Sequence, residues 1–480
     1  VRLFMTAPSV GSPPWRTSAS VHGSDYLLTL VPTNATSFVF DRMEFRGAYI
    51  RALNLSTAAA AELTLEDCTV RSNGFYVAKG YSGRGLSVSG GAKAKLAIRG
   101  SRFSENRFWS RSSSNGLTDI CGLAIYLTGV AETTIEDTLF FHNGDEYASG
   151  KGGIAGRDWC YGWCISANSS PLTVKNTDFI ANNGCIHSSG AIVQLAGAIG
   201  ETSFTNCRFV GNSLESYEGK STSTLGGALT LGSSSGTLAV DFCTFAYNTC
   251  VMENGSGFTQ NSGTSTIRNS IFYANAYNGG CADIYVRGGS CTVENCRLSA
   301  EGPTSYRSVS GATLSVSGTI LDDPRFPVSE EDFERDYLVG SGDVGTRPLS
   351  SIHIYTAWKD PAMLLTGALD VHPKSEAGRW TAAGWVADET TSPLIDRGTA
   401  DAPYDNEPEP KGFAANLGGY GNTTEASKTP DGIPAIADFS EDLERDPGSA
   451  AYSFTLTSDK PFVAKLWFCW GDSMSEEAGT

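Results

Sequence analysis

The stretch Phe209-Val210-Gly211-Asn212 decides the architecture, because its shape returns along the chain. The same pattern ends at Asn73 in "VRSN", Asn106 in "FSEN", Asn143 in "FFHN" and Asn182 in "FIAN". It ends again at Asn248 in "FAYN" and Asn275 in "FYAN". Each Asn stands three residues after a large apolar anchor: Val70, Phe103, Phe140, Phe179, Phe209, Phe245 or Phe272. Two residues before the anchor sits a small residue: Cys68, Ser101, Thr138, Thr177, Cys207, Cys243 or Ser270. Weaker copies carry Phe45 upstream, and Cys296 with Leu298 downstream. From Phe45 to Leu298 the anchors are spaced 25, 33, 37, 39, 30, 36, 27 and 26 residues apart. A tight local pattern at a variable period of this size denotes stacked units that share a core and differ in one inserted loop.

Each unit resolves into strands. "LTLEDC", "LAIRGS", "TTIEDT", "LTVKNT" and "STIRNS" alternate apolar with polar, as a strand with one buried face does. A second strand follows each copy of the repeat: "GLSVSG", "GLAIYLTG", "WCISAN", "GAIVQL", "GGALTLGS" and "ADIYVRG". Its leading apolar residues are Leu86, Ile125, Ile165, Ile192, Leu229 and Ile284, with Phe258 the equivalent in the remaining unit. From the six to the next anchor the distance is 17, 15, 14, 17, 16 and 14 residues. Back to the preceding Asn it is 13, 19, 22, 10, 17 and 9, so length variation concentrates on one edge, just after the Asn. This is the pattern of an all-β parallel β-helix of about nine or ten coils, with a phenylalanine ladder and a side-chain-bonded asparagine ladder. Repeats of 26 and 27 residues are too short for propeller blades. The Asn suits a tight, exposed turn, where its loss is expected to cost less than truncation of a buried Phe.

The expected organisation is an N-terminal rung or cap over 1–36, repeats over 37–325, an irregular closing segment over 326–428 and a partial β-sandwich-like module over 433–480. Both ends read as cut from something longer. A formal net charge of −17 argues against nucleic acid and anionic membrane as partners. No apolar run reaches the roughly 18 residues of a membrane-spanning helix. Cysteines on the small position alternate with Ser and Thr and read as buried small side chains. Cys250, Cys281 and Cys291 fall in loops or turns with room to pair, and the Cys160/Cys164 spacing lacks the partners of a zinc site.

Two resemblances follow from these residues. The pairing of "FxxN" with "GGAL" or "SGAI" over residues 60–300 resembles the repeats of polymorphic outer-membrane autotransporter adhesins, which are right-handed parallel β-helices. "SPLIDRG", "YDNEPEPKG" and "NLGGYGNTTEAS", within 392–427, resemble the closing segment of secreted bacterial proteins of the pectate-lyase-like superfamily, often termed choice-of-anchor proteins. That resemblance implies a right-handed helix, bacterial export and surface attachment. The superfamily holds both adhesins and polysaccharide lyases or hydrolases, so fold alone leaves the activity open.

A lyase would need a Brønsted base with a charge neutraliser, and a hydrolase two or three close carboxylates. Outward positions offer Glu66-Asp67, Glu136-Asp137, Lys175, Asp178, Asp241 and Glu294, which read mainly as solvated strand faces and turn caps. Of the histidines, His142 and His187 flank the Asn turns of neighbouring units. "DAPYDNEPE" gathers Asp401, Asp405, Asn406, Glu407 and Glu409, either an acidic turn or a calcium site; no other cofactor is implied. The two longest loops, 107–121 and 144–162, lie in consecutive units and carry Trp109, Tyr147, Trp159 and Tyr161, with Trp163 just beyond. Aromatic side chains on a rigid scaffold hold sugar rings or partner proteins. The reading is therefore a secreted or surface-bound bacterial protein, adhesin-like, binding polysaccharide or host-surface material through these five residues. The alternative is a polysaccharide lyase or glycoside hydrolase working in a groove along the helix.

Overall fold

The structure, a computed structural model, describes residues 26–48, 50–74, 83–108, 120–145, 160–161, 163–186, 191–216, 226–250, 255–277, 281–329 and 370–430, with short strands between 436 and 477. Parallel pairing links Leu28 to Leu53, Leu86, Ile125, Ile165, Val193, Leu229, Phe258, Ile284 and Tyr306 in turn. Each step is one coil further, so the described helix has ten coils. A coil presents a first strand such as Leu86–Ser89, a second such as Lys95–Arg99 and a short third such as Arg102–Ser104. The register places Val193 rather than Ile192 on the leading rank. "GAIVQL" holds consecutive apolar residues, and both Ile192 and Val193 are buried, so a two-residue period does not choose between them.

The anchors stack as expected. Phe103, Phe140, Phe179, Phe209, Phe245 and Phe272 lie in register on the third strands, with successive ring centroids 5.2, 4.8, 4.6, 4.7 and 4.7 Å apart. The coil spacing itself, roughly 4.8 Å, sets that distance. The corner before the third strand explains why Cys, Ser and Thr interchange at the small position. Each supplies a donor to the carbonyl two residues back: Thr138 Oγ1 to Glu136 at 2.8 Å, Ser270 Oγ to Arg268 at 2.7 Å, Cys207 Sγ to Thr205 at 3.4 Å. The residue before it, such as Asp67, Gly100, Asn176 or Asn269, is left-handed, a conformation Gly, Asn and Asp tolerate best.

The asparagines are not exposed. The left-handed residue of the second corner is the one before each Asn (Ser72, Glu105, His142, Ala181, Gly211, Tyr247 and Ala274), and the Asn side chain itself turns inward. Asn182 Nδ2 donates to the Phe140 carbonyl of the preceding coil at 3.0 Å and to Asn212 Oδ1 of the next at 3.0 Å. Its Oδ1 accepts from Asn143 N at 3.0 Å and Nδ2 at 3.1 Å. The chain of amides runs unbroken from Asn73 to Asn275. It ends on the buried carboxylate of Asp283, which accepts from Asn275 Nδ2 at 3.2 Å and from Ser299 and Ser305.

The closing segment does more than cap an end: it runs back along the flank of the helix. The residue after each anchor changes character along the chain, from Arg71 and Ser104 to Phe141, Ile180, Val210, Ala246 and Tyr273. These outward apolar side chains join a core cluster with Phe326, Val371, Leu394 and Leu417. Tyr273 meets Phe326 edge-on at 5.4 Å, and Tyr247 Oη donates to the Val328 carbonyl at 2.5 Å. In "NLGGYG" the backbone itself touches the flank. Asn206 Nδ2 donates to the Gly421 carbonyl at 2.7 Å, Gly419 N to Thr244 Oγ1 at 2.9 Å and Gly418 N to the Asn269 carbonyl at 2.9 Å. A Cβ on Gly418 would meet Ile271 at 2.6 Å and one on Gly419 would meet Arg208 at 2.5 Å, which is why glycines stand there. Next to them Tyr420 lies under Arg208 and stacked on His372, while Arg208 is also held by Asp178.

Beyond residue 430 the described strands pair antiparallel, Ile436–Phe439 with Leu456–Ser458 and Leu466–Trp470 with Ser473–Glu477. Cys250, Cys281 and Cys291 prove to be buried rather than exposed in loops, and Cys281 and Cys291 are free thiols. Burial pushes Cys281 up to about 12 and Cys291 to about 11, so neither is a thiolate at neutral pH.

The buried ladder reverses the expected order of costs. Phe209→Ala should lose about 3–5 kcal/mol. Asn182→Ala strands several buried polar groups, each worth about 1–3 kcal/mol, and should lose at least as much. Denaturant unfolding of the two variants decides: an asparagine loss well below the phenylalanine loss contradicts the ladder.

Candidate functional site

Past Asn182, Asn212, Asn248 and Asn275 the chain enters a short sheet built from Asn183–Ile186, Ser213–Ser216, Thr249–Cys250 and Ala276–Tyr277. On the third and fourth coils this edge carries the two longest loops. Their outgoing bases pair in parallel, Arg107–Phe108 with Gly144–Asp145. Their returning bases do the same, Ile120–Cys121 with Cys160–Tyr161. The bases of the two loops are thereby held side by side at both ends, about one coil spacing apart, roughly 4.8 Å. Trp109, Tyr147 and Trp159 lie outside the described residues, and Tyr161 is described only as backbone of the returning strand.

Trp163 is a correction. It is 2% exposed and belongs to the core cluster, so it offers no surface to a ligand. A Cβ on Gly184 would stand 2.1 Å from its Nε1, so the indole fills the space that this glycine leaves. Trp163 positions the returning base from inside. "DWCYGWC" places two tryptophans four residues apart, and nothing in that spacing says which one turns inward. Cys164 is buried beside it, its thiol driven well up by desolvation.

The outward charges form a rank of alternating sign. Glu66, Arg99, Glu136 and Lys175 align on successive coils, as do Asp241, Arg268 and Glu294 further along. Arg99 lies 3.6 Å from Glu66 and 3.3 Å from Glu136, and Arg268 lies 3.0 Å from Glu294. Asp67 and Asp137 occupy left-handed corners, and Asp178 holds Arg208 at 2.5 Å. Cations therefore separate the carboxylates that a hydrolase would bring together, and the arrangement serves coil stacking. His142 is buried at its corner, and His187 lies outside the described residues.

The acidic stretch of the closing segment is dispersed. Asp401 pairs outward with Arg268 at 2.8 Å. Glu407 is buried, and its Oε1 accepts from Asn416 N at 2.7 Å and Asn422 N at 2.8 Å. Glu409 and Lys411 meet through a backbone bond at 3.3 Å. Among the described residues, no three His, Cys, Asp or Glu side chains gather as metal ligands.

With this geometry in view, comparison with known proteins agrees on the scaffold. A family model described as a right-handed beta helix region matches residues 33–245. The coils themselves continue past it to the strand Thr313–Ser317. No curated protein and no solved structure matches the chain. The fold is thus an all-β parallel β-helix. No described helix is long and apolar enough to cross a membrane.

Burial pushes the Glu407 carboxyl up to about 7, against an ordinary value of 4.5. A carboxyl raised on folding binds its proton more tightly in the native state, so its stabilising contribution is complete below about 4.5 and is lost as pH rises towards 7. Native protein should therefore lose stability across that window. Glu407→Gln, which mimics the protonated form, should flatten the slope. Thermal midpoints at pH 5 and pH 8 check this: an equal slope in both proteins refutes it.

Proposed function

We propose that this chain is a secreted or cell-surface bacterial β-helix protein that binds polysaccharide or host-surface material through the paired loops of its third and fourth coils. The observation that carries the reading is the double pairing of the loop bases, which joins two aromatic-bearing loops into one edge on a rigid scaffold. Such preorganisation lowers the entropy lost on binding. The indoles of Trp109 and Trp159 and the phenols of Tyr147 and Tyr161 supply flat apolar faces of the kind that stack on sugar rings. The resemblance of the repeats and of residues 392–427 to exported bacterial proteins supports the location. The mechanism is retention rather than turnover, in keeping with carboxylates paired to cations on the outward rank. No metal is required by this mechanism, although calcium bound through loop carboxylates would strengthen retention of an acidic polymer.

A panel of neutral and uronic-acid-rich polysaccharides, with and without calcium, tests this. Folded protein should be retained by at least one polymer without releasing new reducing ends or unsaturated products. Trp109→Ala with Trp159→Ala should weaken that retention about tenfold or more. Unchanged retention in the folded double variant contradicts the site, and product release would make the protein a hydrolase or lyase instead.

A further inference from the structure

The closing segment carries a second aromatic feature, remote in sequence from the loops. Arg379–Thr381 and Gly384–Val386 form an antiparallel hairpin in which Trp380 pairs with Trp385. The two indoles meet edge to face at 5.2 Å. Trp385 is 38% exposed and the adjoining Val386 42%, whereas Trp163 is buried in the core. The Lys428 ammonium lies 4.5 Å from the Trp385 ring centre. Among the described residues no carboxylate forms an ion pair with it.

The feature is held rigidly. Arg379, at the root of the hairpin, is clamped by Asp388 at 3.0 Å and by Asp370. Asp388 accepts from Ser375 N at 2.9 Å, and its own N–H donates to the Ser375 carbonyl at 2.9 Å. Lys428 N donates to the Gly378 carbonyl at 2.9 Å, and the Lys428 carbonyl accepts from Ser375 Oγ at 2.5 Å. Thr381 Oγ1 closes the turn on the Gly384 carbonyl at 2.7 Å. The hairpin root and the lysine backbone are therefore tied to one another before any ligand arrives. Around the root, Arg379 is paired with two carboxylates, and Glu376 accepts from Thr391 Oγ1 at 3.0 Å, so Lys428 is the cation that stands beside the indoles.

We infer that this hairpin is a second carbohydrate site, in which Trp385 and Trp380 stack on the sugar and Lys428 takes the carboxylate of an acidic, uronic-acid-bearing polysaccharide. An exposed indole offers a sugar ring the apolar, negatively polarised face that its C–H groups prefer. An ammonium with no acidic partner among the described residues, on a chain of net charge −17, is the local complement to an anionic sugar. A protein partner fits less well, because a stable protein interface needs about 800 Å² from each side, more than a six-residue hairpin presents. The site stands independently of the loops.

Affinity electrophoresis of the full chain through gels holding polygalacturonate or a neutral dextran tests this. The experiment is run in the Trp109→Ala, Trp159→Ala background, so that the loops do not mask the result. Retardation by polygalacturonate should persist there, and adding Trp385→Ala should weaken it about tenfold. Lys428→Gln should weaken it about threefold or more while leaving any dextran retardation unchanged. Because it leaves the core intact, this variant remains informative if a tryptophan variant misfolds. The inference is overturned if the loop-deficient chain is not retarded by polygalacturonate, or if folded Trp385→Ala and Lys428→Gln both migrate as their parent does.

Discussion

Each coil of this molecule hands one buried amide to the next, and most of the architecture follows from that hand-over. An Asn side chain has two donors and an acceptor of the right reach to satisfy the carbonyl behind it, the side-chain amide ahead of it and the backbone N–H of the Asn in the coil before it. Inside the helix such groups are costly to leave unpaired. The ladder therefore holds the corner, the register and the anchor residue of every coil in one arrangement. Aligned amides also polarise one another, so the row gains from its length. Its far end, Asp283, is an acceptor of the strength such a row needs to terminate.

Because that corner admits no insertion, added length has to go elsewhere. It goes into the edge just past the short sheet, where nothing in the core counts residues. The same constraint that makes the scaffold monotonous thus makes one edge variable. Coils three and four exploit it most, and paired bases turn two separate insertions into one feature. The opposite flank has the reverse logic. There the residue after the anchor is apolar from Phe141 to Tyr273, and the closing segment packs on this flank with backbone brought into contact through Gly418 and Gly419.

Much of the scaffold was legible in the sequence because its signals are local and repeated: the Phe spacing, the alternating strands, the small residue at the corner. The burial of the Asn was not, since an Asn near a left-handed turn fits either a solvated tip or an inward amide. The signal that separates them is uniformity: an exposed turn would accept Asp or Gly at some of these positions, and none of the full copies uses either. Val193 was missed by one residue because three neighbouring side chains are all buried there. The covered flank was visible in the second letter of "FxxN", which passes from Arg and Ser to Phe, Ile, Val, Ala and Tyr. Trp163 was placed on the wrong side because spacing alone does not orient a lone strand of two or three residues. The tryptophan hairpin carries no repeat signal, and its meaning depends on Lys428, which only the fold brings near.

Hydrogen–deuterium exchange of the full chain, alone and saturated with a polysaccharide that it retains, tests the central claim most directly. The account predicts slow exchange through the ladder coils in both states. It predicts new protection within 107–121 and 144–162 on binding, and none along the flank already sealed by the closing segment. Protection spread over that flank, or saturating retention that leaves the loops unprotected, would contradict it.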